Sequence, residues 1–171
     1  MKTSFVCALA VLLASTAACA ADSKPDSPAD AAAAFGRLKT LVGTWEMNTQ
    51  NAKIRITYEL IAGGTALVEH DLIGGKEAML TVYHMDGDRL MLTHYCMAGN
   101  QPRMQLRSFD AATGDLVFQF LDATNLTNPN AGHMHNATFH ILDADHYDSE
   151  WQFYVGGKPQ TTESFKYTRA K

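Results

Sequence analysis

Residues 53–60 read KIRITYEL, with Ile54, Ile56, Tyr58 and Leu60 on one parity and Lys53, Arg55, Thr57 and Glu59 on the other. A period of two places one face of an extended chain in a core and the other in water, so this stretch is a half-buried strand. The pattern returns at residues 115–122, DLVFQFLD, where Leu116, Phe118 and Phe120 alternate with polar or weakly apolar neighbours. Turn residues punctuate it at Gly63 and Gly64, Gly74 and Gly75, Asp86 to Asp88, Ala98 to Asn100, residues 111–115, 128–132 and 143–145, and Gly156 and Gly157. Gly, Asn and Asp at such points accept the positive φ that tight hairpins require.

Between the turns the sequence supplies about ten strands, at 43–50, 53–62, 65–73, 77–85, 89–97, 102–109, 116–122, 133–142, 147–155 and 160–169. Only residues 29–40, ADAAAAFGRLKT, carry a helical pattern. Short connections make each strand pair with its predecessor, and such a meander has two exposed edges unless its last strand pairs with its first. The expected fold is therefore all-β: an up-and-down antiparallel β-barrel with a short N-terminal helix. A Greek-key sandwich needs longer crossover connections than these.

Composition agrees with one folded domain. The 171 residues are 46% apolar and 19% charged, which favours a core over disorder. Lys and Arg total 14 against 18 Asp and Glu, a formal charge of −4, so no basic surface for nucleic acid is expected.

Residues 1–20, MKTSFVCALAVLLASTAACA, have one cation, a short apolar run and small residues, the layout of a bacterial signal peptide. The run is too short to span a membrane. Cleavage after Ala20 would release a soluble chain. Cleavage before Cys19 would make Cys19 a lipid anchor, because residues 16–19 (TAAC) resemble a bacterial lipobox with Thr in place of its usual Leu. Either way a periplasmic protein or an outer-membrane lipoprotein is expected. Residues 21–34 read as a flexible tether and residues 35–171 as the barrel domain. Of three cysteines, Cys7 lies in the signal and Cys96 alone belongs to the barrel, so no internal disulfide is expected.

The stretch FGRLKTLVGTWE, residues 35–46, resembles the start of calycin-superfamily barrels, which include lipocalins and fatty-acid-binding proteins. The resemblance is to the bacterial secreted lipocalin-like proteins of a domain-of-unknown-function group, with nitrobindins as looser relatives. It implies a short helix leading into a first strand with Gly-x-Trp. It also implies that Trp45 plugs the closed end while Arg169 of the last strand packs over its ring. Nitrobindins hold haem and carry a Gly-rich run after the Trp; residues 46–53, EMNTQNAK, depart from it.

Following strand direction from Trp45 gathers polar residues at the opposite mouth. His94 and Cys96, with Leu90 and Leu92, end the fifth strand there. Asp122 ends the seventh, and His133 and His135 begin the eighth on the parity of Ala137 and Phe139. His70 is expected inward with Val68 and Leu72, while Asn100, Gln101, Arg103 and Asn125 rim the mouth. The lower interior is expected to be apolar, built from residues such as Ile54, Ile56, Tyr58, Leu60, Leu106, Phe118, Phe139, Trp151 and Phe153.

Three readings of this cluster stay open. One is a ligand site, with His70, His94, Cys96, Arg103, Asp122, Asn125, His133 and His135 holding the polar end of a small apolar or amphipathic molecule. Another is a metal or haem site: His133-x-His135 sets two imidazoles about 7 Å apart on one strand face, and His94 and Cys96 add nitrogen and sulfur for Zn, Cu or haem iron. Redox or isomerase-type catalysis belongs to that alternative, and a Cys96–His94 or Cys96–His135 dyad would serve an enzyme. In the third reading these groups only anchor loops by hydrogen bonding. A binding protein without a cofactor is the favoured expectation.

Overall fold

The computed structural model describes residues 28–48 and 53–171. Among them run helix α1 (Pro28–Lys39) and ten strands: β1 (Gly43–Asn48), β2 (Lys53–Ile61), β3 (Ala66–Ile73), β4 (Lys76–Asp86), β5 (Arg89–Tyr95), β6 (Gln101–Asp110), β7 (Asp115–Thr124), β8 (His133–Ile141), β9 (His146–Val155) and β10 (Lys158–Arg169). Each strand pairs antiparallel with its predecessor, and β1 pairs with β10, closing the sheet into a barrel. The expected signal peptide, with Cys19, lies outside the described residues. Helix α1 begins at Pro28, so it takes in seven residues of the expected tether, 28–34.

Ala31, Ala34, Phe35 and Leu38 of α1 are buried; they recur at helical spacing and seat the helix across one barrel end. Two long cations pin it there. An Arg37 guanidinium nitrogen donates to the Ile141 carbonyl at 2.6 Å, and Lys39 Nζ to the Gly64 carbonyl at 2.8 Å. The chain then turns into β1 through Gly43, whose φ is +123°. A Cβ at this position would stand 2.8 Å from an Arg169 guanidinium nitrogen, so only glycine fits both the backbone and its neighbour.

Trp45 is fully buried at this closed end, and its Nε1–H donates to the Leu41 carbonyl at 2.7 Å. Tyr147 meets the indole edge-on at 4.8 Å, and the Arg169 guanidinium lies 4.1 Å above it. Trp45 and Arg169 are direct partners in the β1–β10 register. That seam is short: two residue pairs are in register, against ten between β9 and β10.

Above this plug the lower barrel is filled by Tyr83, Phe118 and Phe139, packed edge to face, with Leu67, Leu90, Leu92, Met104 and Leu116 fully buried around them. Leu60, expected inside, is exposed, and so is Ile61, where β2 runs out into the 3₁₀ turn at Ala62–Gly64. Phe153 is half-buried.

Two strands carry a different inner face from the one expected. On β3 it is Leu67, Glu69, Asp71 and Ile73, so His70 points outward. Residues directly paired in an antiparallel sheet share a face, and β3 is paired Ile54↔Ile73, Ile56↔Asp71 and Tyr58↔Glu69. The inward face of β2 thus dictates that of β3, although β3 carries apolar residues on both parities. On β8 the register with β9 shifts between Met134 and Asn136. The extra residue of this bulge reverses the parity. Met134 pairs with Phe153 and lines the interior, while His133 pairs with Tyr154 on the other face.

Candidate functional site

The upper barrel is not filled. A cavity of about 250 Å³ lies among side chains from β2, β3, β4, β5, β8, β9 and β10. Its walls are largely apolar: Ile54, Ile73, Met79, Met97, Met134, Trp151 and Phe165. Met97 is well exposed and Ile73, Met79 and Met134 are half-buried, so three flexible thioethers stand at its mouth. The polar lining is Glu69, Asp71, His94, Glu163 and Tyr167. Among the described residues neither Lys nor Arg lines it.

His94 is 2% exposed and pairs across the sheet with Thr81, whose hydroxyl is 2.9 Å from His94 Nδ1. Trp151 lies against the ring, centroids 4.9 Å apart. The opposite nitrogen, Nε2, is buried and has no hydrogen-bond partner among the described residues. Burial pulls the imidazole down to about 4, so it is neutral near pH 7.

Glu69 and Asp71, 4% and 8% exposed, stand two apart on β3 and hydrogen-bond to each other. Burial first, and the facing Asp71 second, push the Glu69 carboxyl well above the usual carboxylate range. Burial pushes Asp71 up to about 6. The two therefore share a proton near neutrality, with Glu69 protonated. Tyr83 donates its hydroxyl hydrogen to Glu69 from the next strand. Below, Tyr58 donates to the Tyr147 hydroxyl at 3.2 Å, and Tyr147 stacks on Tyr167 at 4.7 Å. Burial, and then Glu69, push the Tyr58, Tyr83 and Tyr147 phenols well up, so these remain hydrogen-bond donors.

Of the residues expected at the mouth, His94 alone lines this cavity. His70 sits outside, held between Glu77 at 3.0 Å and Glu59 at 3.2 Å. Arg103 pairs with Asp122 through two hydrogen bonds on the exposed surface. Asn125 takes a positive φ and donates to the Gly99 carbonyl, and Asn100 donates to the Gly132 carbonyl. Those two asparagines brace the loops next to β6 and β8. Cys96 follows the end of β5, half-buried, with the Ala98 N–H 3.5 Å from its sulfur. Burial pushes its thiol up, the opposite of what a nucleophile needs.

His133 and His135 line a separate, more open cleft with Phe120, Leu121, Asp122, Leu126 and Pro129. His133 Nδ1–H donates to the Ala131 carbonyl at 2.8 Å, leaving Nε2 to accept from His135 Nδ1–H at 3.0 Å. His135 is stacked between Tyr154, 4.0 Å away, and Phe120, 4.6 Å away. The expected metal set of His94, Cys96, His133 and His135 is thus divided between two places. Among the described residues no three His, Cys, Asp or Glu side chains converge as a metal site. Glu69 and Asp71, which do face the cavity, were not anticipated; the inward parity of Tyr58, carried across the β2–β3 hairpin, was the signal for both.

No family model matches the chain, and no curated protein matches it. Among solved structures it is similar to a protein of unknown function from the DUF3598 family of Nostoc punctiforme, at 8% identity and a TM-score of 0.23, over 80% of this chain and 98% of that one. The architecture itself, ten antiparallel strands closed β1 to β10, is calycin-like.

Proposed function

We propose that this chain is an extracytoplasmic binding protein for a small, largely apolar ligand held in the upper barrel. The observation that carries the reading is the cavity of about 250 Å³, walled mainly by Ile, Met, Phe and Trp side chains above a solidly packed lower half. Its volume lies just below the ordinary range for ligand pockets, which suits a small molecule. The mouth methionines can adjust to its shape. The polar end of the ligand meets Glu69, Asp71 and His94, rather than Arg103 and the His133–His135 pair. In this reading the protein is a bacterial secreted calycin-like barrel, exported by residues 1–20 and either free in the periplasm or tethered through Cys19.

Trp151 and Trp45 make the test convenient. Trp151 lines the cavity and Trp45 is sealed in the closed end, so ligand entry is expected to change Trp151 emission only. Titration with the neutral dye N-phenyl-1-naphthylamine is expected to saturate at one site and to quench Trp151. Met134→Trp, which fills the cavity, is expected to abolish the binding. Failure to saturate, or equal binding by the filled variant, overturns the proposal.

A further inference from the structure

The cavity has a hook of one electrostatic sign. We propose that its ligand is a small apolar amine, bound as the ammonium ion by Glu69, Asp71 and Nε2 of His94. The inference rests on the binding reading above and names the class of molecule bound. Among the described residues three carboxyl groups, Glu69, Asp71 and Glu163, face the space, and no Lys or Arg shares it. The ligand-free pair Glu69–Asp71 satisfies itself by sharing one proton, which leaves one negative charge without a cation in the cavity. An ammonium ion supplies that cation.

A second, independent observation points the same way. His94 Nε2 is buried in a ring that lines the cavity, and no described residue bonds to it. Leaving a buried polar atom unpaired is costly, so a partner is expected from the occupant of the cavity. Thr81 carries a hydroxyl that can accept as well as donate, so in the tautomer whose Nδ1–H donates to it Nε2 presents a lone pair and accepts an N–H, and the amine selects that tautomer. An ammonium has three N–H donors, enough for both carboxyl groups and the imidazole, while its alkyl body lies against Met79, Met134, Trp151 and Phe165. A fatty acid would bring its carboxylate against carboxylates with no cation at hand, and a neutral alcohol leaves the charge uncompensated.

The pH dependence follows from every group facing the pair. These are Tyr58 on β2, His70 on β3, Tyr83 on β4, His94 and the adjoining Cys96 after β5, Tyr147 on β9, and Glu163 and Tyr167 on β10. The four neighbouring phenols stay neutral, His94 is neutral near pH 7, and His70 lies on the outer face. The pair thus changes charge on mild acidification. Above about pH 6 it carries one negative charge; below, it is neutral, and binding a cation requires expelling a proton.

Calorimetric titrations of the purified protein with octylamine, octanol and octanoate give a matched series in which only the polar end changes. At pH 7.5, octylamine is expected to bind at least about tenfold more tightly than octanol, with octanoate weakest. Acidification to pH 5 is expected to weaken octylamine by about tenfold and leave octanol unchanged. Asp71→Asn, which removes the charged member of the pair, is expected to erase the preference for the amine while octanol still binds, and Glu69→Gln, which leaves the Asp71 carboxylate in place, is expected to keep it; the parent's own amine, alcohol and acid titrations decide the case should a variant fail to fold. Octanol equal to octylamine, or octanoate the tightest, overturns the amine assignment and leaves the apolar-ligand reading standing. Binding of none of the three overturns both.

Discussion

Arg169 lies 4.1 Å above the Trp45 indole and donates to the carbonyls of Thr40, Val42 and Ala144. One side chain thereby joins the helix exit, the start of β1 and the β8–β9 turn. Arg169→Ala is expected to cost about 2–3 kcal/mol, about 1 from the cation–π contact and the rest from carbonyls left to water. Arg169→Lys keeps a charge over the ring but loses the fork, and is expected to recover less than half. Urea unfolding checks both; an alanine variant as stable as the parent would remove Arg169 from the closure.

Gly43 is coupled to the same guanidinium. Gly43→Ala is expected to cost about 1–3 kcal/mol, part from its φ of +123° and part from the contact at 2.8 Å. In an Arg169→Ala background the contact disappears and the backbone strain stays. The double variant is therefore expected to be more stable than the sum of the singles implies. Strict additivity in thermal unfolding would show that the neighbouring nitrogen plays no part.

Asp71 and His94 have acid responses that oppose each other, and Glu69, also pushed up by burial, acts in the same sense as Asp71. Asp71, pushed up to about 6 in the fold, holds its proton more tightly folded than unfolded, so stability from this group is lost as pH rises from about 4 to 6. His94, pulled down to about 4, holds its proton less tightly when folded, so stability is lost as pH falls from about 6.5 to 4. Each is worth up to about 3 kcal/mol, and between pH 4 and 6 they largely cancel. Asp71→Asn is expected to be more stable than the parent at pH 7.5 and to gain less stability than the parent on acidification to pH 4.5. His94→Gln is expected to show the reverse slope. Urea unfolding at the two pH values reads both, and parallel slopes would refute the assignment.

Cys96 and His135 are expected to be bystanders to binding in the barrel. Cys96→Ser and His135→Ala should leave octanol or dye affinity within about twofold, since neither lines the cavity. With its thiol pushed up by burial, Cys96 is also expected to react with iodoacetamide at pH 8 more slowly than free cysteine. A large loss of binding in both variants would move the site to the other cleft.

How far the residues foretold this arrangement varies strand by strand. On β5, Leu90, Leu92 and His94 occupy one parity against polar neighbours at 89 and 93, so His94 could be placed inside. On β3, Leu67 and Ile73 compete with Val68 and Leu72, and the inner face is decided by pairing with β2, which no window on β3 alone contains. On β8 a single bulge at His135 turns the two histidines away and brings Met134 in. Strand number was readable because Gly, Asn and Asp gather where the chain reverses. Carboxylates facing inward were not, since alternation assigns polar residues to water unless a partner network holds them.

The order in which the barrel assembles follows from its seam. Nine of the ten strand pairings join neighbours in sequence; among the described residues the β1–β10 pairing is the exception. Hairpins between neighbours close small loops and form early, whereas β1 and β10 must close a loop spanning nearly the whole domain. The Arg169–Val42 bond bridges 127 residues. During synthesis, then, the sheet can grow as an open ribbon, but its cylinder cannot be sealed before Arg169 has left the ribosome.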